Sequence, residues 1–162
     1  YIVYGGSVFV IFASVYHWYP KITGRMLNEH LGRLHFLLTF VGFNLCFAPQ
    51  HWLGLNGMPR RVAEYDPQFE LVNQISSAGA LLMAISTLPF LWNVIASAFY
   101  GVIAGDNPWR ALTPEWLTSS PPPVENWKGE APLVTHPYGY GIPADEIDLS
   151  SASGSDLWRG GQ

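Results

Sequence analysis

The sequence predicts an all-α membrane protein with three transmembrane helices and a largely irregular C-terminal tail. The first observation is that Asp, Glu, Lys and Arg are absent from three long stretches, residues 1–20, 34–59 and 71–105. Each stretch supplies the roughly 20 mainly apolar residues that cross a hydrocarbon core. The second is a polar tail that lowers the mean hydropathy to +0.14. A soluble protein, the alternative, seldom needs even one apolar run of this length.

The apolar runs place the helices at about residues 1–19, 31–49 and 69–104, within a transmembrane region that covers residues 1–104. Pro89 lies inside the third run, where it should kink the helix or mark packing against neighbouring helices. Aromatic side chains near the run ends are typical of the membrane interface. They are His17, Trp18, Tyr19, His51 and Trp52.

The tail, residues 105–162, is rich in Pro, Gly and Ser. It contains the stretches "SSPPP", "HPYGYGIP" and "DLSSASGSD". Such composition predicts extended or disordered chain and no second folded domain. The net charge of −4 comes mostly from this tail, which argues against nucleic acid as a partner.

The basic residues predict the orientation in the membrane. Four of them, Lys21, Arg25, Arg33 and Arg110, lie in the first loop or follow the third helix. The opposite side has only Arg60 and Arg61. Because Lys and Arg are enriched in cytoplasmic loops, we predict that the first loop and the tail are cytoplasmic and that the arginine pair lies outside.

The arginine pair, in "GLNGMPRRVAEYDP" at residues 54–67, has two interpretations. One is a solvated turn in which Glu64 and Asp66 neutralise both charges. The other is an anion-binding site, because guanidinium groups suit carboxylate or phosphate. The residues alone support the two interpretations about equally.

The chain offers few other chemical groups. Its five histidines, His17, His30, His35, His51 and His136, include no pair at three- or four-residue spacing, so no metal site is predicted from this chain. His35 could belong to a proton path or be a hydrogen-bonded interfacial residue. Cys46 is the single cysteine and cannot form an intrachain disulfide. A transporter would need paired ionisable residues near midspan, and the runs lack them.

An aromatic stripe lies on one face of the second predicted helix. Phe36, Phe40, Phe43 and Phe47 recur at three- and four-residue spacing. Such a stripe usually faces lipid or core, and contact with a flat cofactor is the alternative.

Three stretches carry a resemblance to a known family. They are "HWYPKITGRMLNEHLGRLHF", "NLCFAPQHWLGLNGMPRR" and "PEWLTSSPPP". The chain, to about residue 127, resembles the last three helices and terminus of subunit I of cytochrome c oxidase, in the haem-copper oxidase superfamily. The resemblance implies that these helices are part of a twelve-helix bundle. Pro59 stands where related quinol oxidases carry Thr, which favours a cytochrome c oxidase.

The resemblance also implies site residues. Arg60 and Arg61 match the arginine pair that binds the propionates of the two haems in the family. Phe47 and Gln50 match positions near the low-spin haem. Val62 departs from the Tyr that commonly follows the pair, so any hydrogen bonding that depends on that Tyr is not expected here.

The family's metal ligands are expected outside this sequence. In the family, a His-Phe-His triplet that binds the haem irons immediately precedes the residue matching Tyr1, and the copper ligands lie further upstream. The sequence is therefore interpreted as a C-terminal fragment that contains no catalytic residue and no metal ligand. The fragment alone is predicted to be inactive, whereas the complete subunit would hold two haems and copper.

The function implied by the resemblance is that of a proton-pumping cytochrome c oxidase, which passes electrons from cytochrome c to oxygen and forms water. The implied partners are the rest of subunit I, subunits II and III, cytochrome c and membrane lipid. The implied location is a bacterial inner (plasma) membrane or another energy-transducing membrane. The alternative is a small membrane scaffold or assembly protein that keeps oxidase-like helices but binds no haem.

Overall fold

The computed structural model describes residues 1–111 and 113–127. Over this part the chain forms three α-helices: α1 (Phe9–Thr23), α2 (Glu29–Leu55) and α3 (Glu70–Tyr100). A π-helical turn, Tyr4–Val8, leads into α1. The described residues form no strand beyond an isolated bridge between Arg25 and Ile103. The predicted all-α class is therefore confirmed.

Two of the helical segments are long and apolar enough to cross a membrane, Glu29–Leu55 and Pro67–Tyr100. Each of the three helices contains a proline, at Pro20, Pro49 and Pro89 respectively. The helices continue through these positions, since a proline removes one main-chain donor while the neighbouring turns keep theirs.

The start of α2 is fixed by its cap. Asn28 has extended backbone geometry, and its side chain accepts a 3.1 Å hydrogen bond from the Leu31 amide. This bond satisfies one of the amides that a helix start leaves without a partner. Glu29 lies in the first turn and forms a 3.1 Å ion pair with Arg33 one turn later. The chain thus changes sharply from loop to helix at this point.

The chain divides into two compact units. The first consists of Tyr1–Ser14 and Leu27–Val102, and it contains α2 and α3. These two helices approach closely where each has a glycine. A Cβ built on Gly79 would lie 2.3 Å from the Cys46 nitrogen, and one on Gly42 would lie 2.9 Å from the Met83 nitrogen. Small residues let helix backbones meet in this way, as is common between membrane helices.

Hydrogen bonds between side chains and polar groups join α2, or its cap, to α3 at several levels. The pairs are Asn28–Asn93, Thr39–Ser86 and Gln50–Ser76. Such bonds between membrane helices contribute about 0.6 kcal/mol each on average. Together with the glycine contacts, they fix the register of the two helices.

The aromatic stripe of α2 divides between core and surface. Phe43 is buried, and its ring centroid lies 4.7 to 5.7 Å from those of Tyr1, Tyr4, Phe9 and Phe47. Phe36 and Phe40 are exposed and stack on each other. Phe43 therefore belongs to the core of the first unit, as the ordinary interpretation of the stripe expects.

The second unit consists of Val15–Met26 and the chain from Ile103 onward. Its described centre is Trp116, which is 1% exposed. The Trp116 ring stacks on Trp18 at 5.5 Å and meets His17 edge-on at 5.1 Å. Aromatic pairs of this kind contribute about 0.5–1.5 kcal/mol beyond the area they bury.

Lys21, predicted in the first loop, lies in the last turn of α1 and ties the end of that helix to the tail within this unit. Its buried ammonium donates to the main-chain carbonyls of Asp106 (3.0 Å) and Thr118 (2.7 Å) and lies 5.0 Å from the Trp116 ring centroid. Burial lowers the pKa of Lys21, and the carboxylates of Asp106 and Glu115 oppose that shift. The described part of the tail is thus irregular, as predicted, but packed. The stretches "HPYGYGIP" and "DLSSASGSD" lie outside the described residues.

Candidate anion-binding site

The candidate site begins where α2 ends. The Gly57 amide donates to the Gly54 carbonyl (3.2 Å), and the Met58 amide donates to the Leu53 carbonyl (3.0 Å). Gly57 has a φ of 85°, in the left-handed region. This pair of bonds with a left-handed glycine is a Schellman motif, which satisfies the last carbonyls of a helix and turns the chain away from its axis. The arginine pair follows directly after this turn.

Arg60 and Arg61 are exposed, and Arg61 has a φ of 59°. A positive φ is uncommon for a residue with a Cβ and costs of order 1 kcal/mol or more. Within residues 1–111 and 113–127, neither arginine side chain makes an ion pair or a hydrogen bond. Asp66 instead accepts a 3.0 Å bond from the Gln68 amide at the start of the next helical turn. The local neutralisation that a simple solvated turn would use is therefore absent from this part of the chain.

Both arginines line one cavity of about 640 Å³. The remaining lining includes two amides, a histidine and a thioether, from Gln50, Asn73, His51 and Met58. Guanidinium groups form strong, often bidentate hydrogen bonds with carboxylates and phosphates. A cavity lined by two such groups, neither of them paired within residues 1–111 and 113–127, is chemically suited to an anion.

A second cavity of about 610 Å³ lies beside α2. Its lining is mostly apolar and aromatic: Tyr1, Ile2, Val3, Tyr4, Val8, Phe47 and His51. His51 lines both cavities, and its Nδ1 lies 2.9 Å from the Phe47 carbonyl oxygen. The two cavities thus share a wall, with cationic groups in one and rings in the other.

The four predicted site residues all lie on these cavities. Phe47 lines the aromatic cavity, and Gln50 lines the arginine cavity while donating a 3.0 Å bond to Ser76. Sequence reasoning did not assign His51 or Asn73 to the site. His51 follows Phe47 by one helical turn, a spacing that could have placed it on the same face. Asn73 lies on another helix, and no local pattern identifies it.

The remaining chemical candidates lie elsewhere. His35 is buried, with ring centroids 4.6 Å from Phe12 and 4.9 Å from Phe90. Across the residues that the structure covers, no group of three or more His, Cys, Asp or Glu side chains could hold a metal ion. The prediction that this chain supplies no metal ligand stays a prediction.

Two long apolar helices and an arginine pair that has no carboxylate partner among the described residues define the class: a helical membrane-type protein with a candidate anion site. Residues 1–82 match the family model described as cytochrome c and quinol oxidase polypeptide I. This match covers half of the chain, and the chain belongs to that family.

Curated relatives carry the name cytochrome c oxidase subunit 1. The chain is 60% identical to that of Thermostichus vulcanus over 143 residues, which are 88% of this chain and 26% of the relative. It is 55% identical to that of a Synechocystis species over 148 residues, which are 91% and 27%. It is 48% identical to that of Corynebacterium diphtheriae over 131 residues, which are 78% and 23%. The chain thus spans about a quarter of the length of these relatives.

Proposed function

We propose that this chain is part of the catalytic subunit of a proton-pumping cytochrome c oxidase, in which it walls the haem sites and binds haem propionates through Arg60 and Arg61. The names of the relatives support the enzyme class. The observation that carries the proposal is the pair of guanidinium groups, which line one cavity and have no hydrogen-bond or ion-pair partner in the part of the chain that the structure describes.

The residues that line the two cavities fit a haem, the group that the family implies. A haem has a flat apolar body and two carboxylates at one edge. The arginine cavity suits the carboxylates, and the adjoining cavity, with Phe47 and His51 in its wall, suits an aromatic body. When bound, the haems and copper of the complete subunit supply the electron transfer and oxygen chemistry.

The arginines orient a bound haem and raise its reduction potential. Each guanidinium can hold a carboxylate by two parallel hydrogen bonds, which fix direction as well as distance. A nearby cation also favours whichever redox state is more negative. At a separation of about 10 Å and an effective dielectric of about 20, Coulomb's law gives on the order of 1–2 kcal/mol. This corresponds to tens of millivolts for one electron.

The same family membership supports a proposal for the partners, the membrane and the orientation of this chain. The partners of this chain would be the rest of subunit I, subunits II and III, membrane lipid and cytochrome c as electron donor. The membrane would be a bacterial inner (plasma) membrane or another energy-transducing membrane. The first loop and the tail would be cytoplasmic, with the arginine pair on the outer side.

Redox titration of the assembled oxidase that carries this sequence tests the proposal. Arg60→Met and Arg61→Met should each lower a haem potential by tens of millivolts, because each removes a cation that stabilises the reduced haem. Axial ligation, read from the absorption spectrum, should not change. Arg33→Met is the control, since Arg33 is already paired with Glu29 and does not line the cavity.

Unshifted potentials in both variants, at normal haem content, would mean that the arginine pair binds no propionate. In that case the pair is a solvated turn. If the assembled protein instead contained no haem, an oxidase-like scaffold without haem would be indicated.

A further inference from the structure

We propose that Asn73 is a positioning residue that, through Met58, holds the Arg60–Arg61 turn against α3. This inference rests on the proposed anion site and adds to it the residue on which its geometry depends. Asn73 lines the same cavity as the arginines but comes from a different helix.

Asn73 is held by two hydrogen bonds from one amide group. Its Nδ2 donates to the Phe69 carbonyl, one turn earlier, at 3.0 Å and to the Met58 sulfur at 3.5 Å. An amide nitrogen carries two hydrogens, so both bonds can form together. The first fixes the side-chain rotamer on α3, and the second reaches across to the loop that follows α2.

Met58 is in turn fixed to the end of α2. Its amide donates to the Leu53 carbonyl as part of the Schellman motif, and both side chains line the cavity. A hydrophobic contact between these two motif positions commonly accompanies such an ending. Met58 is therefore the point at which the turn is attached to both helices.

The arginines follow Met58 after a single residue, Pro59, whose ring fixes φ near −65°. If Met58 changes position, the backbone of Arg60 therefore moves with it, because little rotation is possible between the two residues. Arg61 is held with a φ of 59°, a conformation that persists only where its surroundings impose it. Neither guanidinium has a hydrogen-bond partner among the described residues, so within this part of the chain the backbone of the turn sets the region that both charges can reach.

The test uses neutral substitutions in the assembled oxidase. Asn73→Leu removes the donor, and Met58→Leu removes the acceptor at similar volume. Neither changes the charge, and the two side chains differ in polarity, so an equal shift of the haem potential in both variants indicates moved arginines and not the loss of one dipole. Gln74→Leu is the matched control, because Gln74 is an exposed amide on the same helix that donates to Glu70.

At a fixed applied potential, Asn73→Leu and Met58→Leu should each lower the ratio of reduced to oxidised haem about twofold to fivefold, because a guanidinium that moves away from the haem loses part of its electrostatic effect. The double variant should be no worse than the stronger single variant, because both remove the same contact. Gln74→Leu should match the wild type.

The Arg60→Met and Arg61→Met titrations distinguish failure of the positioning role from failure of the anion site. If the arginine variants shift the potential while Asn73→Leu and Met58→Leu do not, Asn73 has no positioning role and the anion site stands. Additive effects of the two neutral substitutions would also overturn the inference. If no variant shifts the potential, the anion site fails and the positioning role fails with it. Normal haem content in the Met58→Leu variant excludes misfolding as the cause of a shift.

Discussion

At Gly79 and Gly42, the absence of a Cβ atom allows α2 and α3 to pack closely. The nearest neighbours of a Cβ on Gly79 would be main-chain atoms, the Cys46 nitrogen at 2.3 Å and the Leu45 carbonyl carbon at 2.6 Å. Main-chain atoms cannot rotate away as a side chain can. A methyl group here must therefore separate the helices.

We expect Gly79→Ala to lower the free energy of unfolding of the detergent-solubilised protein by about 1–3 kcal/mol, the usual cost of overpacking. Gly6→Ala is the control, because a Cβ there would have no neighbour within 4 Å. Denaturant titration followed by circular dichroism measures both. Equal stability of Gly79→Ala and the wild type would show that the helices do not meet at this glycine.

Polar side chains determine the register of α2 and α3. Asn93 is 1% exposed; its oxygen accepts from the Asn28 amide at 2.8 Å, and its nitrogen donates to the Asn28 carbonyl at 2.9 Å. It thus satisfies both main-chain groups of the residue that caps α2. Ser97, one turn later, donates to the same Asn93 oxygen.

Asn93→Leu should lower the free energy of unfolding by about 1–3 kcal/mol, because it removes two hydrogen bonds to the Asn28 main chain that contribute about 0.5–1.5 kcal/mol each. Ser97→Ala should cost less, since Asn93 keeps its bonds to Asn28. The same denaturant titration compares the two variants. A larger loss for Ser97→Ala than for Asn93→Leu would contradict this account of the cap.

Much of the fold could be predicted because the absence of charge over about 20 residues is a local signal. The position of the arginine pair in a loop between two helices could also be predicted from a local signal, since its neighbours in sequence are turn formers. The bond from Asn73 to Met58 could not be predicted, because it joins two helices and leaves no periodic pattern. The packing of Trp116 on Trp18 likewise depends on chain folding back over about 100 residues, whereas composition alone suggested an extended tail.

For the whole molecule, the bonds of Lys21 bear on topology. Because its ammonium binds carbonyls of Asp106 and Thr118, the end of α1 and the described tail lie on the same side of any membrane the chain crosses, and the first loop follows α1 directly on that side. The charge distribution then predicts that this side is cytoplasmic.

Cysteine labelling in sealed vesicles tests this orientation after Cys46→Ser removes the native thiol. Val124→Cys, at a position that is 97% exposed, should react only from the cytoplasmic side. Glu64→Cys, in the loop that follows the arginine pair, should react only from outside. Labelling of the Val124 position from outside would reverse the proposed topology.

The claim that Arg60 and Arg61 bind haem propionates is tested most directly by infrared difference spectroscopy of the assembled oxidase with ¹³C-labelled propionate carboxyls. Lysine keeps the positive charge but cannot form the bidentate pair. We expect the labelled carboxylate bands to shift in Arg60→Lys or Arg61→Lys and to stay in place in Arg33→Lys. Labelled bands that are identical to those of the wild type in both of the first two variants would contradict the assignment of this arginine pair to the propionates.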